Sequence, residues 1–142
     1  MREESPYFLD TCIPIYAAGR DHPYKEPCAR VVLAVADGKI TVATDAEVIQ
    51  ELTYRFHSID RREEGLQLAE EFLSVMDIVL PITHKDIVRA LALQRSYSFL
   101  PPRDAIHVAV MEAAGLQRIV SADRHFDRVN EVERIDPMKL EW

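Results

Sequence analysis

Short apolar runs alternate with longer segments of helical periodicity along the whole chain, and this alternation restricts the possible folds more than any other feature. The strand-like runs are YFLD, KITVAT, DIVLPI, RIVSA and VERIDP. Amphipathic segments lie between them, and residues 63–76, for example, place Leu66, Ala69 and Phe72 on one side of a helix. Strands separated by helices favour a mostly parallel sheet covered on both faces, because parallel neighbours need a crossover connection. The sequence therefore predicts an α/β fold with about five strands.

Capping and turn residues set the expected helix boundaries. Thr44 and Glu47 have the spacing of a capping box, which predicts a helix from there through Ile59. The segment Gly19–Pro27 contains glycine and two prolines and is predicted to be a loop, so that the next helix begins at Cys28. The remaining predicted boundaries are a cap at Thr83, a start at Pro101–Pro102 and an end near Gly115.

The composition is typical of one globular domain. Of the 142 residues, 48% are hydrophobic, which is enough for one packed core, and we expect a single domain over residues 1–142. No apolar run could span a bilayer and the N-terminus has no export signal, so we expect a cytoplasmic protein with Cys12 and Cys28 reduced. The net charge of −7 argues against binding nucleic acid by bulk electrostatics. The expected core includes Val31, Leu33, Phe72 and Leu73.

Acidic side chains follow the predicted strands at the edge where parallel sheets form their sites. Asp10 closes the first strand, Asp104 falls in the first turn of the last predicted helix, and Asp123 follows the fourth strand. Each also has a purely structural interpretation, because carboxylates stabilise helix N-termini. Glu51 borders the buried stripe of its helix and could reach the same edge, or it could form a surface ion pair with Arg55.

Two further acids lie near this edge in sequence. Glu47 is one turn before Glu51 and competes with it, although the capping box explains Glu47 adequately. Asp127 comes one helical turn after Asp123, so that both could face the same space. The structural alternative for this segment is a polar loop capped by Ser121.

Together these acids predict a site for a hard metal ion. Carboxylates that lie close together repel, so without a cation one or more would take up a proton. Oxygen ligands without cysteine or clustered histidine suit Mg²⁺ or Mn²⁺ better than zinc. Such an ion activates a water molecule and neutralises charge on a phosphate under attack. Asp10, Asp104 and Asp123 are the expected metal ligands, and Glu51 would ligate the metal or orient the attacking water.

Five pieces of the sequence, in order, resemble the PIN-domain family and, within it, the VapC-type toxin ribonucleases of VapBC toxin–antitoxin systems. The pieces are YFLDTCIPIYAAG, HPYKEPCARVVLAVADGKI, EVIQELTYR, PPRDAIHVAVMEAAGL and RIVSADRHFDRV. The resemblance implies a three-layer α/β/α sandwich, an Mg²⁺- or Mn²⁺-dependent endoribonuclease, frequent homodimers and a cognate antitoxin. It also implies four acids, two hydroxyl side chains and a variable acidic position, which fall on Asp10, Glu51, Asp104 and Asp123, on Thr11 and Ser121, and on Asp127.

Two other functions stay open as alternatives. One is a non-catalytic PIN-like module whose acids serve structure or a protein or RNA partner, and the other is a nuclease acting on structured DNA. The chain has no glycine-rich phosphate loop, which argues against nucleotide binding of the P-loop or Rossmann type. His107 is interpreted as a packed helix histidine. Basic residues that could hold RNA phosphates are Arg20, Lys25, Arg103, Arg124 and Arg128.

Overall fold

A computed structural model describes residues 5–140 of the protein. The central sheet of these residues has five strands, all of them parallel. The spatial order is β3-β2-β1-β4-β5, so the chain builds outward from β1 on one side and then crosses to build on the other. The carboxyl ends of β1 and β4 therefore flank the point where the strand order reverses. The strands are β1 (Tyr7–Leu9), β2 (Val42–Asp45), β3 (Ile78–Leu80), β4 (Arg118–Val120) and β5 (Glu133–Ile135).

Six α-helices connect and cover these strands, which confirms the predicted α/β/α sandwich. They are α1 (Cys12–Ala18), α2 (Lys25–Ala36), α3 (Ala46–Ser58), α4 (Arg62–Val75), α5 (His84–Ser96) and α6 (Pro102–Ala113). Short 3₁₀ turns follow β4 and β5, at Arg124–Arg128 and Pro137–Lys139. Helices α1, α2 and α4 contact one another, whereas α5 packs mainly on α6. No helix within residues 5–140 is long and apolar enough to cross a membrane.

The core lies on both faces of the central strands. Phe8, Ile119 and Val120 are fully buried, as expected for strands covered by helices on each side. The prediction that Leu33 and Leu73 belong to the core is wrong, because these side chains are 59% and 41% exposed. Leu33 on α2 and Leu73 on α4 lie away from the side of each helix that faces the interior. The predicted core residues Val31 and Phe72 are buried, and Cys12 and Cys28 are free thiols.

Two predicted helix boundaries are corrected by the structure. Asp45, not Thr44, caps α3, because β2 continues through Asp45 and its carboxylate accepts the Val48 N–H at 3.0 Å. The Thr44 hydroxyl instead donates to the Leu9 carbonyl across the sheet at 3.1 Å. Helix α2 begins at Lys25 rather than Cys28, since a proline in the first turn does not interrupt a helix. The predicted cap at Thr83 is confirmed, and Asp86 completes its capping box.

Candidate active site

The three predicted aspartate ligands meet at the carboxyl edge of the sheet. Asp10 directly follows β1, Asp104 lies in the first turn of α6, and Asp123 follows β4. Asp10 and Asp104 are each 3% exposed, whereas Asp123 is open to solvent. Carboxylate oxygens of Asp104 and Asp123 and a ring nitrogen of His125 lie within 4.8 Å of one another. Asp10 and Asp104 therefore form the buried part of the cluster, and Asp123 forms the part that solvent can reach.

Hydrogen bonds fix the orientation of the Asp10 carboxylate. The Thr11 N–H donates to Oδ1 at 2.8 Å, and the Ser121 hydroxyl donates to Oδ2 at 2.6 Å. Ser121 also accepts the Asp123 N–H at 3.0 Å, so one hydroxyl joins the two strand ends. The predicted site residues Thr11 and Ser121 thus hold the carboxylate of Asp10 in place by hydrogen bonds.

Glu51 points inward from α3 and is only 4% exposed. The Thr11 hydroxyl donates to its Oε2 at 2.5 Å, which ties Glu51 to the residue next to Asp10. Its Oε1 forms ion pairs with Arg55 at 3.1 Å and with Arg103 at 2.8 Å. Both sequence interpretations of Glu51 are therefore met at once, because it pairs with Arg55 and also reaches the site.

Crowding of negative charge shows in the pKa values of the cluster. Burial and then the charge of Asp10 raise the pKa of Asp104 to about 6. The same two causes, in the same order, raise the pKa of Asp123. His125 partly offsets this charge, since its Nε2 lies 2.7 Å from Asp104 Oδ2. Partly desolvated carboxylate oxygens whose mutual repulsion is only partly offset are a donor set that fits a hard divalent cation such as Mg²⁺ or Mn²⁺.

A buried ion pair beneath the cluster is the feature that the sequence did not reveal. Asp45 Oδ2 lies 2.7 Å from His107 Nδ1, and both side chains are fully buried. Burial alone would lower the pKa of His107, but the hydrogen bond and the charge of Asp45 raise it to about 9. A ring nitrogen of His107 is within 4.8 Å of carboxylate oxygens of Asp10 and Asp104. Its Nε2 is buried and has no hydrogen-bond partner among the described residues.

This histidine was predicted only as a packed helix residue, and it does pack, with its ring centroid 5.4 Å from that of Phe8. Its pairing was missed because the prediction ended the second strand at Thr44 and placed Asp45 in the first turn of the following helix. An acid at the end of β2, beside the acid that ends β1, is the signal that could have indicated it.

Asp127 does not join the cluster. It forms a two-pronged ion pair with Arg134, at 2.9 and 3.2 Å, and is exposed. The hydrogen bond from Arg134 lowers the pKa of Asp127. Arg134 also donates to the Ser121 carbonyl at 3.0 Å, so this pair supports the loop that carries Asp123.

Of the predicted basic residues, Arg103 alone pairs with a cluster acid within residues 5–140. The Lys25 ammonium donates to the Gly19 carbonyl at 2.5 Å, and the Arg128 guanidinium covers the Phe99 ring at 4.0 Å. Arg20 lies in a groove beside the site.

Comparisons with known proteins identify the family of this chain. The PIN domain family matches residues 7–132. Ribonuclease VapC13 of Mycobacterium tuberculosis is 36% identical over 127 residues, which cover 89% of this chain and 97% of that protein.

Two solved structures share the fold. One is VapC20 of Mycobacterium tuberculosis, described as a sarcin-ricin loop cleaving toxin, with a TM-score of 0.73 and 18% identity over 87% of this chain and 95% of that one. The other is VapBC2 of Rickettsia felis bound to a DNA fragment from its promoter, with a TM-score of 0.72 and 20% identity over 92% and 98% of the two chains. The family match and the identity to VapC13 together show that the chain belongs to the PIN-domain family, in its group of VapC ribonucleases.

Proposed function

We propose that this protein is an endoribonuclease that hydrolyses RNA phosphodiester bonds with Mg²⁺ or Mn²⁺, and that it is the toxin of a toxin–antitoxin pair. The observation that carries the proposal is the convergence of Asp10, Asp104 and Asp123 at the carboxyl edge of the sheet, with Glu51 turned toward them. Membership of the VapC ribonuclease group supports RNA as the substrate.

Each acid has a proposed role. Asp10, Asp104 and Asp123 would hold the metal, and Glu51 would complete its ligands or orient the attacking water. A bound divalent ion would lower the pKa of a coordinated water and neutralise charge on the phosphate. Thr11 would keep Glu51 in place through its hydroxyl.

Arg103 and Arg55 give the site positive charge at its rim. Their side chains are 45% and 48% exposed, although both guanidinium groups pair with the buried Glu51. A guanidinium held in this way keeps free N–H donors, and these match the geometry of a phosphate. The two arginines would therefore bind the phosphate next to the scissile bond.

The direct test is RNA cleavage with Mg²⁺ or Mn²⁺, with and without chelator. We expect Asp10→Asn to lower the rate by on the order of 100-fold or more, because it removes a metal ligand at the centre of the cluster. Asp127→Asn is the matched control, since this acid pairs with Arg134 outside the cluster. Full activity in chelator, or an unaffected Asp10→Asn, would contradict the mechanism.

A cognate antitoxin, a homodimer and a cytoplasmic location are parts of the same proposal. The VapBC2 structure of a fold relative supports the antitoxin, and co-purification of this chain with the product of a neighbouring gene would test it. Exposed apolar side chains on β3 and α5 support a dimer, with Val79, Val88 and Leu91 between 41% and 57% exposed. We expect Val88→Glu to convert a dimer into a monomer in light-scattering measurements.

A further inference from the structure

His125 brings a nitrogen donor to the side of the acid cluster that solvent can reach. Its Nε2 lies 2.7 Å from Asp104 Oδ2, and its side chain is 26% exposed. His125, Asp104 and Asp123 each offer one ligand atom that lies within 4.8 Å of the other two. This part of the cluster therefore combines two carboxylates with one imidazole, and its donors are not oxygen alone.

The contact between His125 and Asp104 is short, but it does not have the direction of a hydrogen bond. The Nε2 atom is shielded from solvent and has no hydrogen-bond partner among the described residues. Leaving a buried polar atom without a partner costs about 1–3 kcal/mol. Neighbouring ligands of one six-coordinate ion lie about 3 Å apart, and the separation of Nε2 and Oδ2 is close to this spacing. A cation shared with Asp104 would therefore supply the partner that Nε2 lacks.

The loop that carries His125 is held in place on both sides. Phe126, the next residue, is fully buried, and its ring centroid lies 4.5 Å from that of His125. Before His125, the Asp123 N–H donates to Ser121 Oγ at 3.0 Å, and Arg134 donates to the Ser121 carbonyl at 3.0 Å. A ligand whose position is fixed in advance loses little conformational freedom when the ion binds.

We propose that His125 Nε2 is a direct ligand of the divalent ion, together with Asp104 and Asp123, and that it makes the site prefer Mn²⁺ to Mg²⁺. The inference rests on the proposed function and adds one ligand and the preferred ion. Mg²⁺ takes oxygen ligands, whereas imidazole suits transition ions, and Mn²⁺ also accepts the two carboxylates. The imidazole binds in its neutral form, so a proton carried by Nε2 would pass to solvent as the ion binds.

The first test is pulsed electron paramagnetic resonance of Mn²⁺ bound to the full wild-type chain, without RNA. We expect the signal of a directly bound imidazole nitrogen, which should change when the chain is expressed with ¹⁵N-labelled histidine. His125→Phe keeps a ring beside Phe126 but has no ring nitrogen, so its Mn²⁺ should lack this signal. His57→Phe is the matched control and should retain the signal, because His57 is exposed on α3 and is not one of the proposed ligands.

Calorimetric titration with each ion alone measures the preference. We expect His125→Phe to weaken Mn²⁺ binding by about 10-fold or more, since even the loss of a side chain that orients a ligand costs about 10–100-fold. Mg²⁺ binding should change by less than about 3-fold, because this ion uses the oxygens.

Three results would overturn the inference: no nitrogen signal in the wild type, a signal that persists in His125→Phe, or an equal loss of affinity for both ions. Failure of the proposed function would look different. The nitrogen signal would then be present, but the wild type would cleave no RNA with either ion.

Discussion

When no cation is bound, the ionised carboxylates of the cluster oppose folding, and Asp104 shows this most clearly. Its pKa rises from 3.8 to about 6 because of burial and then the charge of Asp10. A raised pKa means that the protonated form favours the folded state, so its contribution to stability is full below about pH 3.8 and is lost as pH rises through about 6.

We therefore expect the metal-free protein to lose about 3 kcal/mol of stability across this pH range. Asp104→Asn should flatten the decline, because an amide does not ionise. Urea unfolding in chelator at several pH values would measure it. Asp127→Asn serves as the control and should keep the wild-type slope between pH 3.8 and 6, since the pKa of Asp127 is lowered and this carboxyl titrates below that range. Equal slopes for wild type and Asp104→Asn would contradict the prediction.

The Asp45–His107 pair makes a second prediction at the residue scale. His107→Leu leaves the Asp45 carboxylate buried without its ion-pair partner, which should lower the free energy of unfolding by about 3 kcal/mol. Combining it with Asp45→Asn should cost less than the sum of the single changes, as a double-mutant cycle would measure. Because the pKa of His107 is raised to about 9, its stabilising contribution should disappear as pH rises through that value. Strictly additive changes would show that the two side chains are not coupled.

The sequence could indicate the site acids but not their partners. Asp10, Asp104 and Asp123 were identifiable because their positions at strand and helix ends follow from local patterns, together with the family resemblance. The pairing of His107 with Asp45 joins residues 62 positions apart, and it depends on how α6 packs against the sheet. Asp127 has the right spacing to face Asp123, but Arg134 on β5 pairs with it instead.

At the scale of elements, α3 and α4 approach each other closely, and both line a groove of about 970 Å³. A Cβ atom at Gly65 would meet the Phe56 Cβ at 2.5 Å, which is too close for either helix to stay in place. Alanine favours a helix over glycine by about 1 kcal/mol, but overpacking costs about 1–3 kcal/mol, so the clash decides the sign. We expect Gly65→Ala to destabilise the protein.

Thermal unfolding would measure this effect. Glu70→Ala, at an exposed position of the same helix, is the comparison and should change stability by less than about 0.5 kcal/mol. A Gly65→Ala variant that is more stable than wild type would show that helix propensity outweighs the contact.

Element boundaries were predictable where a local signal acts alone. The predicted cap at Thr83 was correct because its hydroxyl accepts the Asp86 N–H, and the Asp86 carboxylate accepts the Thr83 N–H in return. Thr44 failed as a cap because the pairing of β2 with β3 continues to Asp45, and strand pairing is not a local property. On the other side of β2, its pairing with β1 gave the Thr44 hydroxyl a different partner, the Leu9 carbonyl.

At the scale of the whole molecule, metal binding should couple to stability. An ion that binds only the folded chain stabilises it by about 2.7 kcal/mol at a 100-fold excess over its dissociation constant. We expect Mn²⁺ or Mg²⁺ to raise the Tm of the wild type and of Asp127→Asn, and to have little effect on Asp10→Asn. A Tm that no divalent ion changes would favour the alternative of a non-catalytic binding module.

The expectation of a single domain over residues 1–142 stays a prediction, since it includes terminal residues outside 5–140. Within the described residues, one parallel sheet carries all five strands and one core surrounds it. Limited proteolysis would test whether the full chain resists cleavage as one unit.

The acid cluster at the sheet edge is where the contributions of sequence and tertiary structure separate most clearly. By itself the sequence determined the order and type of the elements and the acids that end them, because hydrophobic periodicity and capping are local. Only the tertiary structure decided that Glu51 turns inward, that His107 pairs with Asp45 and that stacked rings and arginines line a groove beside the acids. These features depend on contacts between segments distant in the chain, and local patterns do not specify such packing.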